Sequence, residues 1–332
     1  MAQNIYNYFF EYDLSKTPGF IYVLANFLGV IIYTSFNPRR RKDVWSYAEL
    51  IILELMYLIY NFLTRDISTV LFIPSIMGAF LFTTLMIYAV CDMNRRNVIY
   101  YAVRAYAFGE LAGALGWQLV SYVFENCRVP HSVSVQCLIT VGTLAALFAF
   151  FLMTEKYINR DQKHLHVERK EVVISVVMCV CMIAASNLSY VSPDTPFSGK
   201  MTAEIYNIRT LVDLGGMAIL FAHHMQLVEY RRKKERDALQ NVLQAQYAQY
   251  RSAQDSIDLI NKKYHDLKHQ IAVLRSETSE EKAHYLDAME QEIRSYEAQN
   301  KTGNKVLDTV LTSKSLYCAK HGITFTCVAD GT

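Results

Sequence analysis

Apolar residues along this chain are distributed in two regimes. Between residues 19 and 229, long apolar runs alternate with short polar breaks, whereas 230–316 are mostly polar. Roughly 20 consecutive apolar residues are needed to cross the hydrocarbon core of a bilayer. Runs of that kind fall at 19–36, 47–64, 67–90, 99–124, 132–153, 172–191 and 206–229. The pattern predicts an all-α membrane domain of about seven spans, the fourth interrupted by Arg104 and Glu110.

Beyond the last run the periodicity changes. Core-type positions step by four and three through Leu239, Leu243, Gln246, Tyr250, Ala253, Ile257, Ile260, Tyr264, Leu267, Ile271 and Leu274, with no Gly or Pro until Gly303. A 3.5-residue repeat is the seam of a left-handed coiled coil. A second stretch repeats the spacing at Leu286, Met289, Ile293 and Tyr296, and the polar "SETSEE" (276–281) between them suits a helix-to-helix turn. Residues 230–300 are therefore expected to form a signalling helix and a helical hairpin, and two hairpins make a four-helix bundle in a homodimer.

Charge fixes the direction of the membrane domain, because Lys and Arg are retained on the cytoplasmic side. "NPRRRKD" (37–43) carries four basic residues, "CDMNRRN" (91–97) two and "EKYINRDQKHLHVERKE" (155–171) five. They alternate with "RD" (65–66), "ENCRVPH" (125–131) and "SPDTPFSGKM" (192–201), which carry one each. The tail "YRRKKER" (230–236) is basic again. These counts predict a multi-pass protein of the cell membrane, with residues 1–18 outside and the C-terminus in the cytoplasm. The net charge of +2 gives no reason to expect a nucleic-acid partner. Seven cysteines, most in apolar runs, follow no metal-ligand spacing, and no cleavable leader is evident.

Ionisable groups inside the apolar runs are costly and mark candidate sites. They are Glu54, Arg104, Glu110 and Asp213, with His223 and His224 near the cytoplasmic end of the last run. The ordinary alternative for each is interhelical pairing or a position from which the group reaches water. A proton-coupled transporter would also carry such groups, but the runs show no internal repeat and a transporter has no need of the long helix that follows.

In the polar half, "YHDLKHQI" (264–271) sets two histidines four apart, with an aspartate beside the first. With Tyr264 and Leu267 on the seam, His265 falls at heptad position b and His269 at f, on an exposed face. The spacing mimics the zinc motif H-E-x-x-H, yet Asp is shorter than Glu and no third ligand follows, so no metal site is expected. Two solvated histidines without chemistry are a second reading. A third is phosphoryl transfer, in which an exposed imidazole attacks the γ-phosphate of ATP and an adjacent carboxylate fixes its tautomer.

The sequence from residue 19 onward resembles membrane sensor histidine kinases with a GHKL-type ATPase domain, of the subgroup that includes quorum-sensing peptide receptors. "YHDLKHQI" resembles the subgroup's phosphoacceptor box, His-Asp-x-x-Asn or close variants. In "TGNKVLDTVLTSKSLYCAKHGITF" (302–325), Gly303, Asn304, Leu307, Asp308, Leu311 and Lys314 match the signature G-N-x-x-L-D-x-x-L-x-x-K at the start of the ATP-binding domain. The resemblance implies that His265 is autophosphorylated, that Asp266 orients it, and that phosphate passes to an aspartate of a response regulator. His269 stands where many members have Asn, a position associated with the phosphatase reaction. The resemblance also implies a homodimer, ATP and Mg as cofactors, and an extracytoplasmic ligand, a peptide in that subgroup. Residues 301–332 are expected to begin the ATPase domain, with "GITFTCVADGT" as its first strand. The boxes that bind magnesium-ATP are absent from these residues, so a truncated form without its own ATP site is expected. The rival reading is a non-enzymatic receptor that signals through its cytoplasmic coiled coil.

Overall fold

A computed structural model describes residues 17–40, 44–64, 69–125, 127, 132–158, 167–192 and 194–275, then 284, 287, 307–308, 311, 314–315, 317–318 and 321–326. The chain divides into two compact units, Met1–Arg231 and Arg232–Thr332.

The first unit is a bundle of helices: α1 (Gly19–Ser35), α2 (Val44–Leu63), α3 (Thr69–Val90), α4 (Arg95–Glu125), α5 (Val133–Ile158), α6 (Arg169–Ser186), the single turn α7 (Leu188–Val191), and the start of α8 (Thr202–Arg275). Helices α2, α3, α5 and α8 are long and apolar enough to cross a membrane, and α1 is a shorter apolar helix. Apolar side chains face outward in numbers that water would not tolerate. On α2 alone, Ile51, Ile52, Leu55, Met56 and Ile59 are each half exposed or more. The interior instead holds charge: Arg104, Glu110, Glu155, Arg209 and Asp213 are all buried. Apolar outside and ionic inside is the arrangement of a protein dissolved in lipid.

Helix α4 is the hub and packs against α1, α3, α5 and α6. Its apolarity is too low for a free-standing span, and most of its side chains are buried by neighbours. Small residues let α1 approach. A Cβ added at Gly29 of α1 would lie 2.6 Å from the Ala105 carbonyl oxygen, and one added at Gly109 would lie 2.5 Å from Asn26. Ala105, Gly109 and Gly113 recur every four residues, the small-residue stripe by which helices pack closely in membranes.

At the other end of α1, Arg39 forms an isolated antiparallel bridge with Cys91. The Arg40 N–H donates to Val90 and the Asp92 N–H to Pro38, each at 2.9 Å. The α6 start is closed by Glu168 and Glu171, whose side chains cap each other's backbone. Arg231 reaches both carboxylates, at 3.1 and 3.4 Å.

In the second unit α8 continues to Arg275. Leu239, Val242, Leu243 and Tyr247 are more than half exposed, Tyr250, Ala253 and Ile257 are partly covered, and Ile271 is buried. Residues 276–281, expected to turn the hairpin, and nearly all of 282–300 lie outside the described residues. Leu307, Asp308, Leu311, Lys314, Ser315, Tyr317 and Cys318 are helical, and the chain stops that helix at Gly322, where φ is +68°. The Ile323 N–H closes that end on the Cys318 carbonyl at 2.8 Å, a Schellman-type stop that needs a residue free to take positive φ. The described residues contain no strand; 323–326 follow the stop without regular structure, and 327–332 lie outside the described residues.

Candidate functional site

Ionisable groups of the first unit gather in two places, and α4 contributes one charged residue to each, Glu110 and Arg104. The first lies where α1 and α8 begin and α2 and α6 end. Arg209 on α8 stands 3.5 Å from Glu110 on α4. Its guanidinium lies over the rings of Tyr22 and Tyr190, 5.4 and 5.2 Å from their centroids. Gly113 makes this possible, because a Cβ there would strike the Tyr22 ring. Tyr106, one turn before Glu110, hydrogen-bonds the carboxylate. Arg209 Nε is buried without a hydrogen-bond partner. Asp213, one turn further along α8, is fully buried.

Beside this group opens a cavity of about 320 Å³. Glu110 and Arg209 line it together with Tyr22, Tyr57, Tyr106 and Tyr190. Its opposite wall, from α2 and α3, presents Tyr60, Asn61, Phe72, Ile76 and Ala79. Tyr57 and Tyr60 are held in place by Phe82, with ring centroids 5.6 and 5.4 Å away.

The second group surrounds Arg104. Its guanidinium pairs with Glu155 on α5 and covers the Tyr33 ring at 4.6 Å. His224 on α8 places Nε2 4.0 Å from the other Glu155 oxygen, and Nδ1 is hydrogen-bonded to the Tyr100 hydroxyl at 3.0 Å. The Glu155 carboxylate therefore ties α4 to α5, with His224 of α8 beside it. His224 is fully enclosed by the bundle, while His223 next to it is half-buried.

Of the membrane groups singled out in the sequence, Glu110 pairs with Arg209 and Arg104 with Glu155; His224 lies 4.0 Å from Glu155, and Asp213 is buried one turn along α8 from Arg209. Glu54 joins neither group; its carboxylate oxygens are buried in α2 without a hydrogen-bond partner. Two residues that matter most were missed. The sequence pattern places Glu155 at the start of a loop, because the apolar run stops just before it. Arg209 sits inside the last apolar run, and its spacing of four from Asp213 was the available signal.

On the cytoplasmic half of α8, His265, Asp266 and His269 are exposed. The two histidines are one helical turn apart, so they share a face. Among the described residues no three His, Cys, Asp or Glu side chains are grouped to hold a metal ion. An exposed imidazole with a carboxylate at the next position can act as a nucleophile toward a phosphoryl donor brought to it. No family model matches the chain, and no curated protein or solved structure matches it.

Proposed function

We propose that this chain is the sensor and phosphoacceptor portion of a membrane histidine kinase. In this reading α1 to α6 and the first part of α8 are seven crossings, with the N-terminus outside and the basic loops and tail in the cytoplasm. Helix α8 then enters a homodimeric coiled coil. His265 accepts the γ-phosphoryl group, Asp266 holds the ring in the reactive tautomer, and a response-regulator aspartate is the next acceptor. ATP and Mg belong to a GHKL-type catalytic domain that must be brought to His265.

One observation carries the reading: a single uninterrupted helix, Thr202–Arg275, bears Arg209, Asp213 and His224 in its apolar part and the exposed His265–Asp266 pair in its polar part. In this reading a rotation or shift in the apolar part of the helix is passed along it to the polar part. The more than half-exposed Leu239 and Leu243 support the dimer, because apolar positions at seam spacing need a second helix to cover them.

The test is phosphorylation in trans. Membranes bearing the full chain are mixed with the catalytic domain of a kinase of this family and γ-labelled ATP. Label should appear on His265, with the acid lability and base stability of a phosphoramidate. His265→Gln should abolish it, and Asp266→Asn should lower it about 100-fold, the scale of a lost acid–base or orienting group. Label that survives His265→Gln and disappears with His269→Ala would move the acceptor one turn along the helix. Label that persists when both are replaced would leave the scaffold reading in its place.

A further inference from the structure

We infer that the cavity beside Glu110 and Arg209 is a binding site for a small zwitterion of the α-amino-acid type, with an aromatic or branched apolar side chain. The inference rests on the sensor reading only for the side of the membrane from which the ligand arrives.

The first argument is charge. Glu110 and Arg209 are the lining groups of opposite sign, 3.5 Å apart, and both are buried. A ligand with one charge would satisfy one of them and draw it away from the other, leaving a buried ion without its counterpart, which is strongly unfavourable. An α-amino acid carries its ammonium and carboxylate on one carbon, close enough to address both. Its carboxylate takes the guanidinium, where Arg209 Nε is a buried donor without a partner. Its ammonium takes Glu110.

The second argument is shape and lining. The guanidinium cannot swing away to meet a distant group, because Tyr22 and Tyr190 hold it over their faces. The pair is thus preorganised, and little ordering is left for binding to supply. Phe72, Ile76 and Ala79 line the cavity beside Ser75, Tyr60 and Asn61, an uncharged wall with apolar patches that suits a side chain with no charge of its own. A volume of about 320 Å³ lies at the lower end of the ~300–1,000 Å³ usual for small-molecule sites. It admits one amino acid and excludes a folded or cyclic peptide as a whole. The termini of a linear peptide, besides, carry one charge each at opposite ends.

The test uses the full chain in lipid nanodiscs, with each of the twenty common L-α-amino acids as probe, read by equilibrium dialysis without ATP. At least one aromatic or branched apolar probe should bind saturably. Its amide, which lacks the carboxylate charge, and its deaminated acid, which lacks the ammonium, should each bind at least about tenfold more weakly, the effect of a single lost ionic contact. Glu110→Gln should produce a similar loss, and Ala79→Phe should remove binding by filling the apolar end. Equal binding of the singly charged analogues, measured on the unaltered protein, would overturn the inference. So would the absence of saturable binding by every probe up to about 10 mM, a ceiling weaker than any useful site. Because the readout needs no nucleotide, its failure leaves labelling of His265 untouched, and failed labelling leaves amino-acid binding to stand or fall alone.

Discussion

A guanidinium away from water is tolerable only where an anion and a ring face meet it, and Arg104 has both in Glu155 and Tyr33. Removing one member of such a pair leaves the other buried and unmatched, at a cost of about 3–5 kcal/mol. Glu155→Gln should therefore lower the unfolding midpoint of the detergent-solubilised chain steeply, and replacing Arg104 and Glu155 together by Met should recover much of the loss. A double variant no more stable than the single one would show that the pair is not the source of the effect. At the start of α8, Glu204 accepts hydrogen bonds from the backbone N–H groups of Lys200 and Met201 at 3.0 and 3.2 Å. These donors hold its carboxyl below the ordinary carboxylate range. A depressed carboxyl stabilises the folded turn above its unfolded pKa and ceases to do so as pH falls through its folded one. Amide exchange at Lys200 and Met201, corrected for intrinsic rates, should accelerate on acidification below about pH 4, where a free Glu protonates. In Glu204→Gln that acid step should vanish; a step that remains would assign it to another group. Sequence reasoning reached Arg104, Glu110 and Asp213 because a charge in an apolar run stands out. It could not reach Glu155, whose apolar run had already ended, since only the fold reveals that α5 continues through it as buried helix.

Elements were legible wherever one period dominated. The apolar runs became helices α1 to α6 and the start of α8, and the absence of Gly and Pro after residue 229 became an unbroken helix to Arg275. What period alone could not supply was the packing order. The contact of α1 with α4 depends on side chains that are missing, at Gly29, Gly109 and Gly113, and a missing side chain leaves no mark in a hydropathy pattern. Gly29→Leu should force α1 away from the Ala105 carbonyl, and overpacking of this kind costs about 1–3 kcal/mol. The expected result is a lowered thermal midpoint together with loss of the Asn26–Tyr57 contact, whose heavy atoms are 3.4 Å apart. Gly142→Leu, where a Cβ meets nothing within 4 Å, is the matched control and should leave the midpoint unchanged. Equal effects from the two variants would mean that helix propensity, not close approach, sets the response.

At the scale of the whole chain, the proposed topology stands or falls on accessibility. With the seven native cysteines replaced by Ser, since Cys127 lies in a loop expected outside, single cysteines placed from Ser192 to Lys200 should react with a membrane-impermeant maleimide in intact cells, and those from Asp161 to Lys170 only after the membrane is opened. The reverse pattern would overturn both the span count and the placement of His265 in the cytoplasm. The hub position of α4 reaches further, into how the protein is made. A helix that carries Arg104 and Glu110 gains little from lipid on its own, and its partners Glu155 and Arg209 are 51 and 99 residues away along the chain. As the ribosome extrudes it, α4 has no counterion for either charge, so the insertion machinery has reason to retain it at the aqueous channel until α5, and then α8, emerge. On that account the proposed bilayer integration is expected to be a late event, completed from the C-terminal side, with the helix at the centre of the bundle among the last to settle.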